Sequence, residues 1–199
     1  EGSDSGTGNF LADYSSSPLG IQLTGGNGTS YNVNDGWGSQ DHWSFNLGVR
    51  DTSHADSFNF TNQLGTLILT GGNDTLAAGS GTLIIVDSPL SGINLDLGAG
   101  HLTYPMLGQQ AAVNGPRNFI YLGSLGSTLQ GDANANALGG GDGDDSLSGG
   151  GGNDTLIGGA GDDTVDGVAG IDTWLSAQGL TDYKVFIRDV TGRPYGANA

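Results

Sequence analysis

Residues 140–175 read GGDGDDSLS GGGGNDTLI GGAGDDTVD GVAGIDTWL, four nine-residue units without a gap. The sixth position is Asp145, Asp154, Asp163 and Asp172, and the eighth is Leu147, Leu156, Val165 and Trp174. In the same register residues 131–139 read GDANANALG, with Asn136 sixth and Leu138 eighth. One unit earlier Leu129 keeps the eighth place while Ser127 takes the sixth. Toward the N-terminus the acidic position fades before the apolar phase does.

The phase reappears upstream. Phe58, Leu67, Leu76 and Ile85 are nine apart, and Asp56 and Asp74 stand two before Phe58 and Leu76. Only GGNDTL, residues 71–76, reads as a full turn. Between the two arrays an insertion, roughly 87–119, holds an alternating strand INLDL at 93–97 and then a loop with Pro105 and Pro116. A longer echo relates DYSSSPLGIQL (13–23) to VDSPLSGINLDL (86–97), each a strand, a Ser/Pro turn and an alternating strand. Period-two alternation predicts further strands at 43–49 and 183–187. The last ten residues read as a frayed tail, and no helical periodicity exceeds two turns.

Composition narrows the function. The 199 residues include 39 glycines and no cysteine, and five Lys+Arg against 21 Asp+Glu leave a net charge of -16. Such a chain repels phosphate, which argues against a nucleic-acid partner. Apolar runs such as 67–69 and 84–86 are far too short to span a bilayer. Without cysteine there is neither a disulfide nor a thiolate metal site. Hydrophobic residues make up 35%, more than a disordered acidic tail carries.

A nine-residue unit divides into a glycine-rich turn of six and a strand of three, whose middle side chain points inward. Two units close one coil, and successive coils stack as parallel strands about 4.8 Å apart. The core is then a thin double row of apolar side chains. Position-six residues 18 apart fall on the same edge: Asn136 with Asp154, Asp145 with Asp163, Asp154 with Asp172. Paired carboxylates and several carbonyls make an all-oxygen cage, which suits calcium better than the stricter magnesium. The short aspartate side chain holds its carboxylate beside its own turn, which explains why the acid here is not glutamate. Asp74 is a further candidate ligand. Asp142, Asp144, Asp162 and Asp166 read as solvated charge.

These units follow the GGxGxDxUx pattern and resemble the RTX (repeats-in-toxin) hemolysin-type calcium-binding repeats. Residues 93–145 are similar to the C-terminal β-roll domain of serralysin-type secreted proteins. The resemblance implies an all-β fold, a right-handed parallel β-roll or β-helix with calcium in the turns, preceded by a more irregular β N-terminal part. It implies that carbonyls at positions two and four join the position-six aspartate. The metal ligands would be Gly141, Gly143, Asp145, Gly150, Gly152, Asp154, Gly159, Gly161 and Asp163, with Asn136, Asp172 and Asp74 beside them. Asn136 offers an oxygen without charge, so its site should be weaker. In the last unit Val168 replaces the position-two glycine, which marks the end of the array. The cofactor is several calcium ions, about three to five. The resemblance also implies type I secretion of an unfolded chain, with folding in extracellular calcium.

Catalytic motifs are absent. The only glutamate is Glu1, so no HExxH can exist, and no serine stands in a GxSxG elbow. His42, His54 and His101 are scattered and read as surface or loop histidines. The aromatics Trp37, Trp43, Phe45, Phe58 and Phe60 are expected to pack a β core or cap, with a face for a protein or carbohydrate partner as the alternative. The expected organisation is an irregular β cap or partner-binding region at 1–55, degenerate β-roll turns with an insertion at 56–118, the calcium-binding β-roll at 119–175, and a C-terminal strand and tail at 176–199. The expected function is a non-catalytic, secreted or cell-surface calcium-binding module. The alternatives are an adhesion or assembly subunit using its N-terminal β region, and a fragment of a secreted hydrolase.

Overall fold

Short β-rich segments separated by glycine turns can bury apolar residues only by stacking, and that is what the chain does. A computed structural model describes residues 5–7, 10–25, 30–35, 40–44, 47–60, 66–115, 117–175 and 184–186. The predicted frayed tail, Trp37 and Phe45 lie outside the described residues, as do the side chains of Trp43 and Phe60. In chain order the strands begin with β1 (Ser5–Thr7), β2 (Phe10–Asp13), β3 (Gln22–Gly25), β4 (Ser30–Asn34), β5 (Gln40–Ser44), β6 (Leu47–Arg50) and β7 (Ser57–Phe60). They continue with β8 (Thr66–Leu69), β9 (Thr75–Ala78), β10 (Leu83–Val86), β11 (Asn94–Asp96), β12 (His101–Tyr104), β13 (Gln109–Asn114) and β14 (Asn118–Tyr121). The array itself forms β15 (Thr128–Gln130), β16 (Ala137–Asp142), β17 (Ser146–Ser148), β18 (Thr155–Ala160), β19 (Thr164–Asp166) and β20 (Thr173–Leu175), and β21 (Lys184–Phe186) follows. Among the described residues there is no helix long and apolar enough to cross a membrane.

The strands form two sheets, visited alternately except where three successive strands, β3–β5 and β11–β13, stay in the same sheet. One runs β2-β6-β8-β10-β14-β16-β18-β20 and is parallel throughout. The longer one runs β1-β5-β4-β3-β7-β9-β13-β12-β11-β15-β17-β19-β21. The fold is the all-β parallel β-roll expected from the repeat. In the array, Leu129 pairs with Leu147 and Leu147 with Val165 in the long sheet, and Leu138 with Leu156 and Leu156 with Trp174 in the short one. These side chains are buried between the sheets, except Trp174, which is half-buried on the last rung.

The upstream array differs from the expected phase at one place. Phe58, Leu67 and Leu76 are buried as predicted, but the next interior residue is Ile84, not Ile85. Ile84 pairs with Leu67 because the preceding turn is shortened, closed by Thr82 N to Gly79 O at 2.9 Å. A nine-residue count cannot register a turn that loses one residue.

The echo between 13–23 and 86–97 corresponds to a duplicated substructure. β2 leads to β3 and β10 leads to β11, each time from the short sheet to the long one. Each then enters an antiparallel meander, β3-β4-β5 or β11-β12-β13, that lies within the long sheet. The segment with Pro105, predicted as a loop, is thus the tip of a hairpin. The strand predicted at 43–49 is two strands, β5 in the long sheet and β6 in the short one.

Candidate metal centres

Each position-six aspartate of the array is held by the coil before it. Asp163 Oδ1 accepts from the Asp145 amide at 3.0 Å, Asp154 Oδ1 from the Asn136 amide at 2.8 Å, and Asp172 Oδ1 from the Asp154 amide at 2.9 Å. Asp145 Oδ1 accepts in the same way from Ser127, at 2.6 Å. One carboxylate oxygen therefore clasps two coils together. The other, Oδ2 of Asp145, Asp154 and Asp163, is buried with no hydrogen-bond partner.

The free oxygen points over the first glycine of its own turn. A Cβ added to Gly140, Gly149 or Gly158 would strike Oδ2 of Asp145, Asp154 or Asp163. Asn136 is turned so that Oδ1 lies in the equivalent place, against Gly131. The glycines of positions two and four have positive φ in every regular turn, for example +93° at Gly141 and +110° at Gly143. Their bareness also serves stacking, since a Cβ on Gly159 would meet the carbonyl oxygen of Gly141 in the coil before. Val168, in position two of the last unit, has φ +69°, a strained conformation for a β-branched residue.

Burial without a partner disfavours the charged form. It pushes the Asp145 carboxyl up to about 7, with the Asp163 and Asp144 charges adding to the shift. Burial likewise raises Asp154 and Asp163. A buried carboxylate oxygen without a hydrogen-bond partner, over a bare glycine, fits a hard cation, and carboxylate and carbonyl oxygens are what calcium takes.

The predicted residues fall on two edges. Gly141, Gly143, Asp145, Gly159, Gly161 and Asp163 lie where the chain passes from the short sheet to the long one. Asn136, Gly150, Gly152, Asp154 and Asp172 lie where it returns. Asp142, Asp144 and Asp162 are exposed and Asp166 is half-buried. His54 and His101 are exposed, and His101 Nδ1 meets Gln110 Nε2 at 3.0 Å. Arg117 precedes β14 at the position-six place one coil before Asn136. Against burial, which raises it, hydrogen bonds from Asn134, then from Asn136, and lastly the Arg117 charge hold the nearby Asp132 carboxyl low.

Asp74 lies on the first edge, several coils upstream, and Oδ1 accepts from the Asp56 amide at 2.9 Å, the same clasp as in the array. Beside this pair is a residue that the sequence reading did not single out. Asp51 is fully buried, and an oxygen of each of Asp51, Asp56 and Asp74 lies within 4.8 Å of the others. The signal for it was positional: Asp51 is five before Asp56 and 18 before Leu69, so it occupies position one of its turn.

The RTX calcium-binding nonapeptide repeat matches the chain in four copies, at residues 66–82 and 139–173. The chain thus carries calcium-binding structural repeats in both arrays, and the matched segments contain Asp74, Asp145, Asp154, Asp163 and Asp172. No curated protein matches the chain.

Proposed function

We propose that this chain is a non-catalytic calcium module that folds when calcium enters its stacked turns, after secretion, and then serves as a rigid support. The observation that carries the proposal is the row of buried, unpartnered Oδ2 atoms on Asp145, Asp154 and Asp163. Three ionised carboxylates so placed destabilise the coil stack unless a cation meets them. Calcium bound there supplies the missing positive charge and gathers the turn carbonyls. The ligands are the position-six residues Asn136, Asp145, Asp154, Asp163, Asp172 and Asp74, with the carbonyls of Gly141, Gly143, Gly150, Gly152, Gly159 and Gly161.

Three stacked pairs in the array, with the upstream pair of Asp56 and Asp74 and the half-site of Ser127 and Asp145, account for about three to five ions. Extracellular calcium modules bind at about 10⁻⁴ to 10⁻³ M. Cytosolic calcium is far below that range and extracellular calcium is close to it. Since binding free energy is folding free energy in such a site, the chain stays unfolded in the cell and folds outside it.

Far-ultraviolet circular dichroism during a calcium titration tests this reading. The β signal should be small in excess chelator and should rise cooperatively with calcium at sub-millimolar to millimolar concentration. Full β signal in chelator, unchanged by calcium, contradicts it.

A further inference from the structure

On the first edge of the array, position one is glycine, at Gly140 and Gly158, and leaves room for the position-six Oδ2. Followed back through the short sheet, the same column holds Tyr121, Val86 and Leu69, all fully buried. The next residue in line is Asp51, since Arg50 pairs with Ile68. A carboxylate thus stands in an interior column that is otherwise apolar, at 0% exposure.

Its surroundings do not satisfy it. Asp51 Oδ1 accepts from Thr70 N at 2.8 Å and Thr70 Oγ1 at 2.6 Å, but Oδ2 has no partner. Asp74 Oδ2 is also buried and unpartnered. Asp56 is fixed in place by Ile21 N at 2.6 Å and by Thr52 N and Oγ1 at 3.0 Å. A further polar atom, the Tyr104 hydroxyl, is fully buried and has no partner. Burial raises its phenol, and the Asp74 and Asp51 charges raise it further. The nearest cationic side chain in sequence, Arg50, is engaged elsewhere, with Asp87 at 2.9 Å and Asp13 at 3.9 Å.

We propose that Asp51, Asp56 and Asp74 bind one calcium ion at a three-carboxylate site built differently from the turn sites. The turn 51–56, DTSHAD, contains no glycine and no positive φ, so it cannot aim carbonyls inward as the regular turns do. It supplies a third charge instead, from the position where the array only makes room. The three acids come from two connections of the roll, one coil apart: Asp51 and Asp56 bracket the turn between β6 and β7, and Asp74 precedes β9. Through the Asp56 bond to Ile21, the ion would fasten the first meander, which begins at β3, to the repeat behind it. The choice of cation rests on the calcium reading of the array, and the site itself rests on Asp51.

The test is the number of calcium ions bound per full chain, by equilibrium dialysis against calcium alone, for the wild type and Asp51→Asn. The variant keeps the acceptor for Thr70 and should bind one ion fewer, with the remainder unchanged. An equal, non-zero count overturns this site and leaves the array reading intact; a wild type that binds no calcium overturns both. If Asp51→Asn does not fold, the infrared spectrum of the calcium-saturated wild type at neutral pH decides. The site predicts no carbonyl stretch from a protonated carboxylic acid. A persistent band means that the cluster is held neutral by protons, and overturns the proposal.

Discussion

Asp163 and Asp145 are one coil apart, and the first reaches back to the second: its Oδ1 accepts from the Asp145 amide at 3.0 Å while its Oδ2 is left buried and bare. A single side chain thus does two jobs, a clasp between coils and a charge for a cation. Substitution separates them. Asp163→Asn keeps an oxygen for the clasp but loses the charge, and should weaken calcium affinity by about tenfold or more. Asp163→Ala loses the clasp as well, and should cost a further ~1 kcal/mol in calcium-saturated unfolding. Calorimetric titration and denaturant melts of the two variants check the difference; equal behaviour would mean that the clasp contributes nothing.

The pH dependence should reverse with calcium. Burial raises Asp145 to about 7, Asp74 to about 8 and Asp51 to about 9, all above an ordinary aspartate. The metal-free folded state therefore holds more protons than the unfolded chain, and its stability falls as pH rises from about 4 to about 9. Calcium requires the ionised form, so binding releases protons and affinity rises over the same window. Between about pH 5 and about pH 8 the residual far-ultraviolet β signal in chelator should fall, while calcium affinity measured by titration should rise. Movement of both in the same direction would contradict the assignment of these carboxylates to the cation.

Neighbouring glycines should differ sharply in tolerance. Gly159→Ala places a methyl group on the Gly141 carbonyl at φ +121° and should cost roughly 1–3 kcal/mol. Gly151→Ala meets nothing nearer than the Ala133 Cα at 3.4 Å, and other units carry Asp142, Ala160 or Ala169 at that position. It should be neutral within about 0.5 kcal/mol. Thermal unfolding in saturating calcium measures both.

Val168 has φ +69° where every regular turn has glycine. Val168→Gly should relieve the strain and stabilise the calcium-bound chain by about 1 kcal/mol. An unchanged or lowered midpoint would show that the last turn has settled around the valine.

Periodicity carried most of the fold. The apolar eighth position found the interior rows from Leu129 to Trp174, and the spacing of 18 found which aspartates stack, because both follow from chain geometry alone. Two features escaped it. The slip from Ile85 to Ile84 arises in one shortened turn, which leaves the composition of the strand unchanged. Asp51 escaped because its turn has no glycine to mark it, and only its alignment with Leu69 across the sheet reveals a carboxylate inside the core. The duplicated meanders were visible as an echo, but their antiparallel course was not, since alternation within a strand does not give its direction.

The central claim is that the coils stack only when the turns hold calcium, and the clasped amides report it most directly. Hydrogen exchange at the amides of Asn136, Asp145 and Asp154 should be slow in millimolar calcium and should approach the rate of an unfolded chain in excess chelator. Equal, strong protection under both conditions would contradict the account.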